Sequence, residues 1–254
     1  MAKKKPVTRN MKHVTILTFT PVWQRPEVFA ICLEGIKRLV NYAPERFKII
    51  PFFMVSESWA ATVVQNAGFN YIHVQNNPLG NKKNKGLKYA IENFKFDYLL
   101  EIGSDDLIAD RYLDIVETEL RAGTPQLSPS IVWFASPFSN KTSYYEPGQK
   151  IVGLGRFLHR SVLEKVEKAE LWNPEGERGM DTFSWRHLAA KYNVKNKQIE
   201  LTEILLLDIK TQVNINTIDR FMPSGVPASE VLANFPETKF GQLKNILQKQ
   251  TCSL

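Results

Sequence analysis

Two adjacent carboxylates, Asp105 and Asp106, follow a short apolar run in the segment YLLEIGSDDLI, residues 98–108. A short apolar run that ends in turn-forming residues predicts a buried strand, and ligands of open α/β sheets bind outside the carboxyl ends of such strands. Carboxylates held close together repel each other, and a hard divalent cation with oxygen ligands relieves that repulsion. The turn at residues 103–106 therefore predicts a metal site.

The same turn has a purely structural interpretation. An apolar, helix-like segment is expected to follow it, and serine and aspartate are favoured at helix N-caps. Under this interpretation Ser104, Asp105 and Asp106 cap a helix and bind no ligand.

The composition fits one large α/β domain. The chain has 254 residues, of which 43% are hydrophobic, so a substantial core can form. The formal charge of +7 is concentrated in residues 1–13, which contain Lys3, Lys4, Lys5, Arg9 and Lys12. This basic tail is expected to be a solvated, flexible end, and an arm for nucleic acid or anionic lipid is the alternative.

The cysteines and the hydropathy pattern favour a cytoplasmic protein. Cys32 and Cys252 allow neither a disulfide framework nor a paired-cysteine metal site, which indicates a reducing compartment. The first apolar run is short and lacks a small-residue cleavage pattern, so a secretory signal is not expected. No window reaches the length of a membrane span. Peripheral contact with a membrane remains an alternative.

The residues before the acidic turn alternate between strand and helix patterns. Helix signals include Pro26 at a first helical position and Ser56 as a predicted cap. Four strands alternating with three helices predict an α/β fold with a mostly parallel, doubly wound sheet flanked by helices. The predicted strands cover residues 14–19, 47–55, 71–74 and 98–102, with Pro51 at an edge or bulge position.

The second half of the chain continues with weaker signals. Residues 137–155 are rich in turn formers and predict a hairpin or a mobile flap. Residues 227–254 predict one or two surface helices that pack back or mediate contacts. The other predicted elements are strands over 131–136 and 199–209 and helices around 112–120, 161–168 and 182–192.

Five motifs, taken in order, resemble the GT-A fold glycosyltransferases, and among them glycosyltransferase family 2. They are TPVWQRPE (20–27), NPLGNKKNKGLKYA (77–90), LLEIGSDD (99–106), GLGRFLHRSVLEKV (153–166) and ERGMD (177–181). The resemblance implies a GT-A-like (Rossmann-like) catalytic domain over residues 14–221. Its first half, to about 125, would bind the nucleotide sugar and its second half the acceptor, and residues 222–254 would form a helical appendage.

The resemblance implies transfer of a sugar from a nucleotide-sugar donor, with a UDP-sugar as the first expectation, to an acceptor hydroxyl. A bound Mn²⁺ or Mg²⁺ would stabilise the departing diphosphate. Asp105 and Asp106 would hold the metal, and Ser104 and Asp106 would also contact the donor. This chain has Gly103 where the family's D-x-D turn has its first aspartate, which leaves ribose recognition rather than metal binding without its usual residue.

Further donor contacts are implied by position within the motifs. Lys83 is expected to lie on a solvated basic helix face and to make no donor contact. Asp208 and Lys210 follow the last apolar strand, where the lysine could neutralise the diphosphate. The implied contacts are Thr20, Pro21 and Val22 with the base, Arg25 with a phosphate, Glu57 with the base or ribose, Lys82 and Asn84 with the donor, and Lys210 with the diphosphate.

The family's inverting members place a general base at the start of a helix after the acceptor loop. Asp181 matches that position, with Glu177 as the reserve candidate. Alternatively, Asp181 caps its helix. The acceptor stays open between a glycan, a lipid-linked sugar, a small molecule and a hydroxylated nucleobase in DNA.

Two other functions compete. A non-catalytic glycan- or nucleic-acid-binding protein on the same fold would use the basic tail, and Asp105 and Asp181 would be caps. A nucleotidyltransferase would use similar metal chemistry, but its glycine-rich loop after the first strand has no counterpart in FTPVWQRPE, residues 19–27.

Overall fold

Strand and helix alternate along the first half of the chain, as the hydrophobic pattern predicts. A computed structural model describes residues 13–76, 78–148, 150–211, 218–221, 223–238 and 243. The strands are β1 (Val14–Val22), β2 (Phe47–Val55), β3 (Asn70–His73), β4 (Tyr98–Glu101), β5 (Asp106–Ile108), β6 (Gln126–Pro129), β7 (Val132–Ser136), β8 (Lys141–Tyr145), β9 (Phe157–His159), β10 (Lys197–Ile199) and β11 (Leu206–Ile209). The helices are α1 (Pro26–Asn41), α2 (Ser58–Asn66), α3 (Leu79–Asn93), α4 (Asp110–Arg121), α5 (Arg160–Leu163), α6 (Met180–Tyr192) and α7 (Ala228–Leu232). The predicted basic tail, apart from His13, lies outside the described residues.

A seven-stranded sheet in the order β10-β6-β9-β4-β1-β2-β3 forms the centre of the fold. Its strands are parallel except β9, which is antiparallel to β4 and β6. The carboxyl ends of β1, β2 and β4 therefore meet at one edge of the sheet. Pro51 lies within β2, which is not an edge strand, but β3 pairs only from Phe52 onward. The missing N–H of Pro51 thus falls where β2 has a neighbour on one side only.

A second, four-stranded sheet in the order β5-β11-β7-β8 carries the acidic turn. The helix expected directly after Asp106 is wrong, because residues 106–108 form β5 and pair antiparallel with β11. The single strand expected over residues 199–209 is also wrong. Its apolar run is interrupted by Glu200, Thr202 and Glu203, and the chain leaves the first sheet at β10 and enters the second at β11.

Helices cover both faces of the large sheet, which confirms the predicted doubly wound α/β architecture. Phe29 and Ile36 of α1 pack in one core cluster with Val116 of α4. Leu87 of α3 and Leu188 of α6 pack in a second cluster on the other face.

A third cluster joins the small sheet to α1 and to the described part of the C-terminal region. It contains Val28 of α1, Leu207 of β11, and Val231 and Leu232 of α7. The segment over 137–155, predicted as a hairpin or a mobile flap, contains one described strand, β8, which pairs antiparallel with β7 just before the segment. Within the described ranges, no helix combines the length and the apolar character needed to cross a bilayer.

Candidate active site

A cleft opens where the carboxyl ends of β1 and β4 meet the small sheet. It consists of two adjoining cavities of about 510 and 410 Å³. The residues common to both cavities are Pro21, Gly103, Asp105, Asp208 and Lys210. We call the first the larger cavity and the second the smaller cavity.

Three carboxylates converge at the boundary between the cavities. Asp105, Asp106 and Asp208 each offer an oxygen, and these oxygens lie within 4.8 Å of one another. Asp106 and Asp208 face each other across the β5–β11 pair. Burial and the neighbouring carboxylates raise the pKa of Asp106 well above its ordinary value. Burial, opposed in part by Lys210, raises the pKa of Asp208 to about 6.

This carboxylate group fits a hard divalent cation. Lys210 pairs with one oxygen of Asp208, while the other, Oδ1, is buried and accepts no hydrogen bond from the described residues, so it is available to a ligand. Oxygen ligands are those that Mg²⁺ and Mn²⁺ prefer. The group could therefore hold a metal through Asp105, Asp106 and Asp208. The position of Asp208 beside Lys210 was the only sequence signal for this third carboxylate.

The geometry of Gly103 explains why the chain has no aspartate at that position. Its N–H donates to the Asp106 carboxylate at 2.5 Å, and its carbonyl accepts from the Cys32 thiol at 3.2 Å. A Cβ at residue 103 would lie 2.7 Å from Oδ2 of Asp106 and 3.0 Å from Oδ1 of Asp105. The carboxylates thus fold over the glycine and leave no room for a side chain. Since β5 follows the turn, the interpretation of Ser104, Asp105 and Asp106 as helix caps is wrong.

Arg25 lies beside the carboxylates in an unusual backbone conformation. Gln24 and Arg25 both adopt left-handed dihedrals, with φ of 57° and 56°. Such residues cost roughly 1 kcal/mol or more each and tend to occur at functional sites. The guanidinium donates to Asp105 at 2.5 Å and to the Ser104 hydroxyl at 3.2 Å. The loop after β1 therefore holds a cation against the acidic turn.

Lys210 places a second cation on the other side of the turn. Its ammonium donates to the Asp208 carboxylate and lies 4.8 Å from the centre of the Phe134 ring. The lysine is buried and lines both cavities. Arg25 and Lys210 thus flank the carboxylate group with two positive charges.

Asp181 faces the larger cavity from the first turn of α6. The helix has Gly179 as its N-cap residue, so the interpretation of Asp181 as a helix cap is wrong. Its carboxylate accepts a hydrogen bond from the N–H of Gly153 at 2.9 Å. A Cβ at Gly153 would lie 2.8 Å from Oδ1 of Asp181, so the glycine provides the close approach. Burial raises the pKa of Asp181, against the opposing charge of Lys83.

A buried ion network lies beneath Asp181. The expectation of a solvated Lys83 is wrong, because its ammonium lies 2.6 Å from Glu101 and 3.9 Å from Asp181. It also lies 4.3 Å from the centre of the Trp172 ring. Arg156 is fully buried and reaches the other oxygen of Glu101 at 3.3 Å. The charge pattern of α3 gave no sign of this network, because lysines alone do not reveal which one turns inward.

Lys82 and Asn84 hold the scaffold around the cleft and line neither of its two cavities. The ammonium of Lys82 donates to the Val22 carbonyl, the Ser56 hydroxyl and the Asn76 amide oxygen at 2.6, 2.7 and 3.2 Å. Burial lowers the pKa of Lys82 to about 7. Ser56 is therefore tied to Lys82 and does not cap α2, whose N-cap residue is Glu57. Asn84 exchanges two hydrogen bonds with the main chain of Trp172.

The other predicted donor contacts are divided between the cleft and the core. Pro21 lines both cavities, whereas Thr20 and Val22 are fully buried beneath it. Glu57 accepts a hydrogen bond from the N–H of Gln24 at 2.7 Å and so supports the loop that carries Arg25. Glu177 is exposed and lines the smaller cavity, away from the cavity that Asp181 faces.

Aromatic side chains form the outer wall of the larger cavity. Phe134 and Phe221 stack with ring centres 4.2 Å apart, and Tyr145 lies beside Phe221. Apolar ring faces of this kind can pack against a sugar ring. Tyr145 and Phe221 were not among the sequence candidates, since Tyr145 ends a short strand in a turn-rich segment and Phe221 lies in a polar segment, and neither segment has a periodic pattern.

Comparisons with known proteins bear on the fold. No protein-family model matches the sequence, and neither does any curated protein sequence. The structure is similar to that of S. aureus TarS residues 1–349, with a TM-score of 0.51 at 12% sequence identity over 77% of this chain. It is also similar to the same TarS fragment in complex with UDP-GlcNAc, with a TM-score of 0.54 at 12% identity over 79% of this chain.

The chain spans 60% of the length of these TarS structures. TarS has the GT-A-type fold. The likeness confirms, at the level of the fold, the resemblance to GT-A proteins that the sequence motifs carry: a central, mostly parallel sheet flanked by helices.

Proposed function

We propose that the chain is a glycosyltransferase that moves a sugar from a nucleotide-sugar donor to an acceptor hydroxyl. The observation that carries the proposal is one cleft in which three converging carboxylates, two flanking cations and a separate carboxylate, Asp181, face the same space. The GT-A-type fold supports the general class of enzyme. The TarS complex with UDP-GlcNAc makes a UDP-sugar the first donor to test.

The smaller cavity suits the nucleoside diphosphate. Pro21 lines it from the end of β1, and Trp23 and Gln24 line it from the loop that follows. Trp23 is 43% exposed, so a base could stack on its ring. Arg25 and Lys210 border the cavity where it meets the carboxylates, which is where the diphosphate would lie. The donor sugar would then extend into the larger cavity.

The carboxylate group is proposed to hold Mn²⁺ or Mg²⁺ through Asp105, Asp106 and Asp208. A divalent cation bound there would act as a Lewis acid on the departing diphosphate. The protein's own part is to hold the three carboxylates close together. Arg25 and Lys210 do this by opposing their mutual repulsion, and Gly103 does it by giving the carboxylates room.

Asp181 is proposed as the general base. Its carboxylate lines the larger cavity beside the aromatic wall, where an acceptor hydroxyl would approach the sugar from the side away from the diphosphate. Burial raises the pKa of Asp181, which makes its carboxylate a better proton acceptor than that of an ordinary aspartate. Attack from that side inverts the anomeric centre, so the proposed reaction is inverting.

A thermal-shift screen tests the proposal. The full-length protein is heated with each nucleoside diphosphate, with and without Mn²⁺. Nucleotide sugars that contain the nucleotide that raises Tm are then assayed for metal-dependent hydrolysis. We expect one nucleotide to raise Tm only when the metal is present. Asp105→Ala should lose this response, and Asp219→Asn, at an exposed aspartate paired with Lys141, should keep it.

The alternatives give different results in the same screen. No response to any nucleotide would contradict the enzyme and favour a binding protein. Pyrophosphate release from a nucleoside triphosphate and a sugar phosphate would favour a nucleotidyltransferase. The acceptor and the cytoplasmic location remain predictions from the sequence.

A further inference from the structure

Seven of the nine arginines whose side chains the structure describes form an ion pair with a carboxylate. The remaining two, Arg178 and Arg186, form no ion pair or hydrogen bond within the described part of the chain. Both are exposed, and both line the same open cavity of about 700 Å³. Arg178 also lines the smaller cavity, whereas Arg186 lines neither cavity of the cleft. Two unneutralised guanidinium groups are therefore gathered at one place on the surface.

This cavity, which we call the arginine shelf, has a lining suited to an anion. Besides the two arginines it is formed by Asn173, Gly179, Met180, Thr182, Phe183 and His187, and none of these residues is acidic. The two carboxylates adjacent to these residues in sequence line other cavities: Glu177 accepts from the N–H of Leu79 and lines the smaller cavity, and Asp181 lines the larger cavity. A guanidinium binds phosphate through two parallel hydrogen bonds, and arginine is a residue of choice for phosphate recognition, so these side chains fit a phosphate group.

The shelf is continuous with the cavity that Asp181 faces. Gly179 and Thr182 line both spaces, and Asp181 lies between them in sequence at the first turn of α6. Thr182, Phe183, Arg186 and His187 follow on adjacent positions of the same helix. A molecule bound on the shelf can thus extend a hydroxyl to Asp181.

An exposed aromatic face accompanies the charges. Phe183 is 41% exposed, and its ring lies parallel to that of His187, at 6.1 Å between centres. A sugar or base ring of a bound molecule can pack on such a face while its phosphate groups meet the arginines.

We infer that the arginine shelf binds the acceptor, and that the acceptor is a phosphate-bearing molecule whose reacting hydroxyl lies close to a phosphate or phosphodiester group. The identification of the bound molecule as the acceptor rests on the proposed glycosyl transfer. The phosphate site itself rests only on the two arginines and their cavity.

The test is direct binding of phosphodiester probes to the full-length protein, measured by fluorescence anisotropy. The probes are labelled decathymidylate and a labelled glycerol phosphate oligomer with the same number of phosphates, and the uncharged competitor is maltodecaose. Arg186→Ala should weaken binding of at least one probe by about fivefold or more and lower the slope of log K against log salt by about one. Arg186→Lys should recover part of the affinity.

Arg111→Ala is the matched control, since Arg111 is an exposed arginine that pairs with Glu203, and neither residue lines the shelf. All variants retain the basic residues 3–12, so background binding by that segment is the same in each. Equal affinity of the Arg186→Ala variant and the wild type, or displacement of the probes by maltodecaose, would overturn the inference. Preference for decathymidylate assigns the phosphate to a nucleic acid, and preference for the glycerol phosphate oligomer assigns it to a phosphate-linked polyol.

Metal-dependent nucleotide binding is measured on the same samples. If the wild type shows no nucleotide response but the shelf binds phosphodiester through Arg186, the proposed glycosyl transfer fails and the phosphate site stands. If nucleotide binding is intact and the Arg186→Ala variant binds every probe like the wild type, the shelf fails and the proposed function stands.

Discussion

The ammonium of Lys83 lies 3.9 Å from the carboxylate of Asp181 and 2.6 Å from that of Glu101. Lys83 thus connects the proposed base to the buried ion network beneath the cleft. Its positive charge favours the ionised form of Asp181, and burial favours the neutral form. The pKa of the base is set by this opposition.

Replacing Lys83 by Met should shift the pH dependence of the reaction. Without the ammonium, the pKa of Asp181 rises further, so the base becomes protonated at a higher pH. The acidic limb of the kcat/KM profile should therefore move to higher pH, and activity on the acidic side should fall. Lys85→Met is the matched control, because Lys85 is exposed on the same helix. A Lys83→Met profile that overlays the wild type contradicts this role.

Asp181→Asn should separate binding from chemistry. The amide keeps the shape of the carboxylate but cannot accept the acceptor's proton, so kcat should fall by about 10²- to 10⁴-fold. The metal-dependent rise in Tm with nucleotide should stay near that of the wild type. Glu177→Gln is the comparison, and we expect it to retain turnover because Glu177 lines the smaller cavity only. If Glu177→Gln loses turnover and Asp181→Asn keeps it, the two roles are reversed.

Asp208→Asn should weaken metal binding. Asp208 has a buried oxygen that accepts no hydrogen bond from the described part of the chain, so its loss removes one ligand from the carboxylate group. Titration of Mn²⁺ by calorimetry should give a Kd raised by more than the roughly tenfold typical for loss of an outer-shell partner. Asp219→Asn again serves as the control. An unchanged Kd would mean that Asp208 serves only to neutralise Lys210.

Gly103→Ala should displace the carboxylates. The added Cβ would lie 2.7 Å from Oδ2 of Asp106, and the fold can relieve this contact only by moving that side chain. We expect a loss of about 1–3 kcal/mol in the free energy of unfolding together with loss of the metal-dependent Tm response. Gly68→Ala is the control for backbone cost, because Gly68 has positive φ and open space around it. It should lower stability and leave the metal response intact.

Glu101→Gln should destabilise the whole fold. Glu101 is the shared partner of Lys83 and Arg156, and Arg156 is fully buried. Removing its charge leaves buried cations without compensation, which costs about 3–5 kcal/mol. Urea unfolding measures the loss. Glu203→Gln breaks only the exposed pair with Arg111 and should change stability by less than about 1 kcal/mol.

The fold could be predicted from the sequence where periodicity is regular. The apolar runs of β1 and β2 and the helical spacing of Leu87 and Ala90 in α3 predict the doubly wound sheet, and they do so because each element buries one continuous surface. The small sheet could not be predicted in this way. Its β5 is three residues long, and its partner β11 lies about 100 residues further along the chain, so no local pattern reports the pairing.

The candidate site divides along the same line. Asp105, Asp106 and Asp181 could be found because each follows a local signal, a strand end or a helix start. Two features of the site that the sequence did not reveal are the role of Asp208 as the third carboxylate and the inward orientation of Lys83. Both depend on contacts between distant segments: Asp208 reaches the acidic turn through β5, and Lys83 meets Glu101 from another element. Residue type alone cannot indicate which member of a lysine-rich segment is buried.

The contact between Arg25 and Asp105 implies an order of events in loading the cleft. The guanidinium pairs with the same carboxylate that is proposed to bind the metal. The loop that carries Arg25 contains two consecutive residues, Gln24 and Arg25, in the left-handed conformation. Arg25 can leave Asp105 without an energetic penalty only if another cation reaches the carboxylate as a phosphate reaches the guanidinium. We therefore expect metal and nucleotide to bind as a unit, each weak alone, so that Arg25 acts as an internal counter-ion that is exchanged rather than lost.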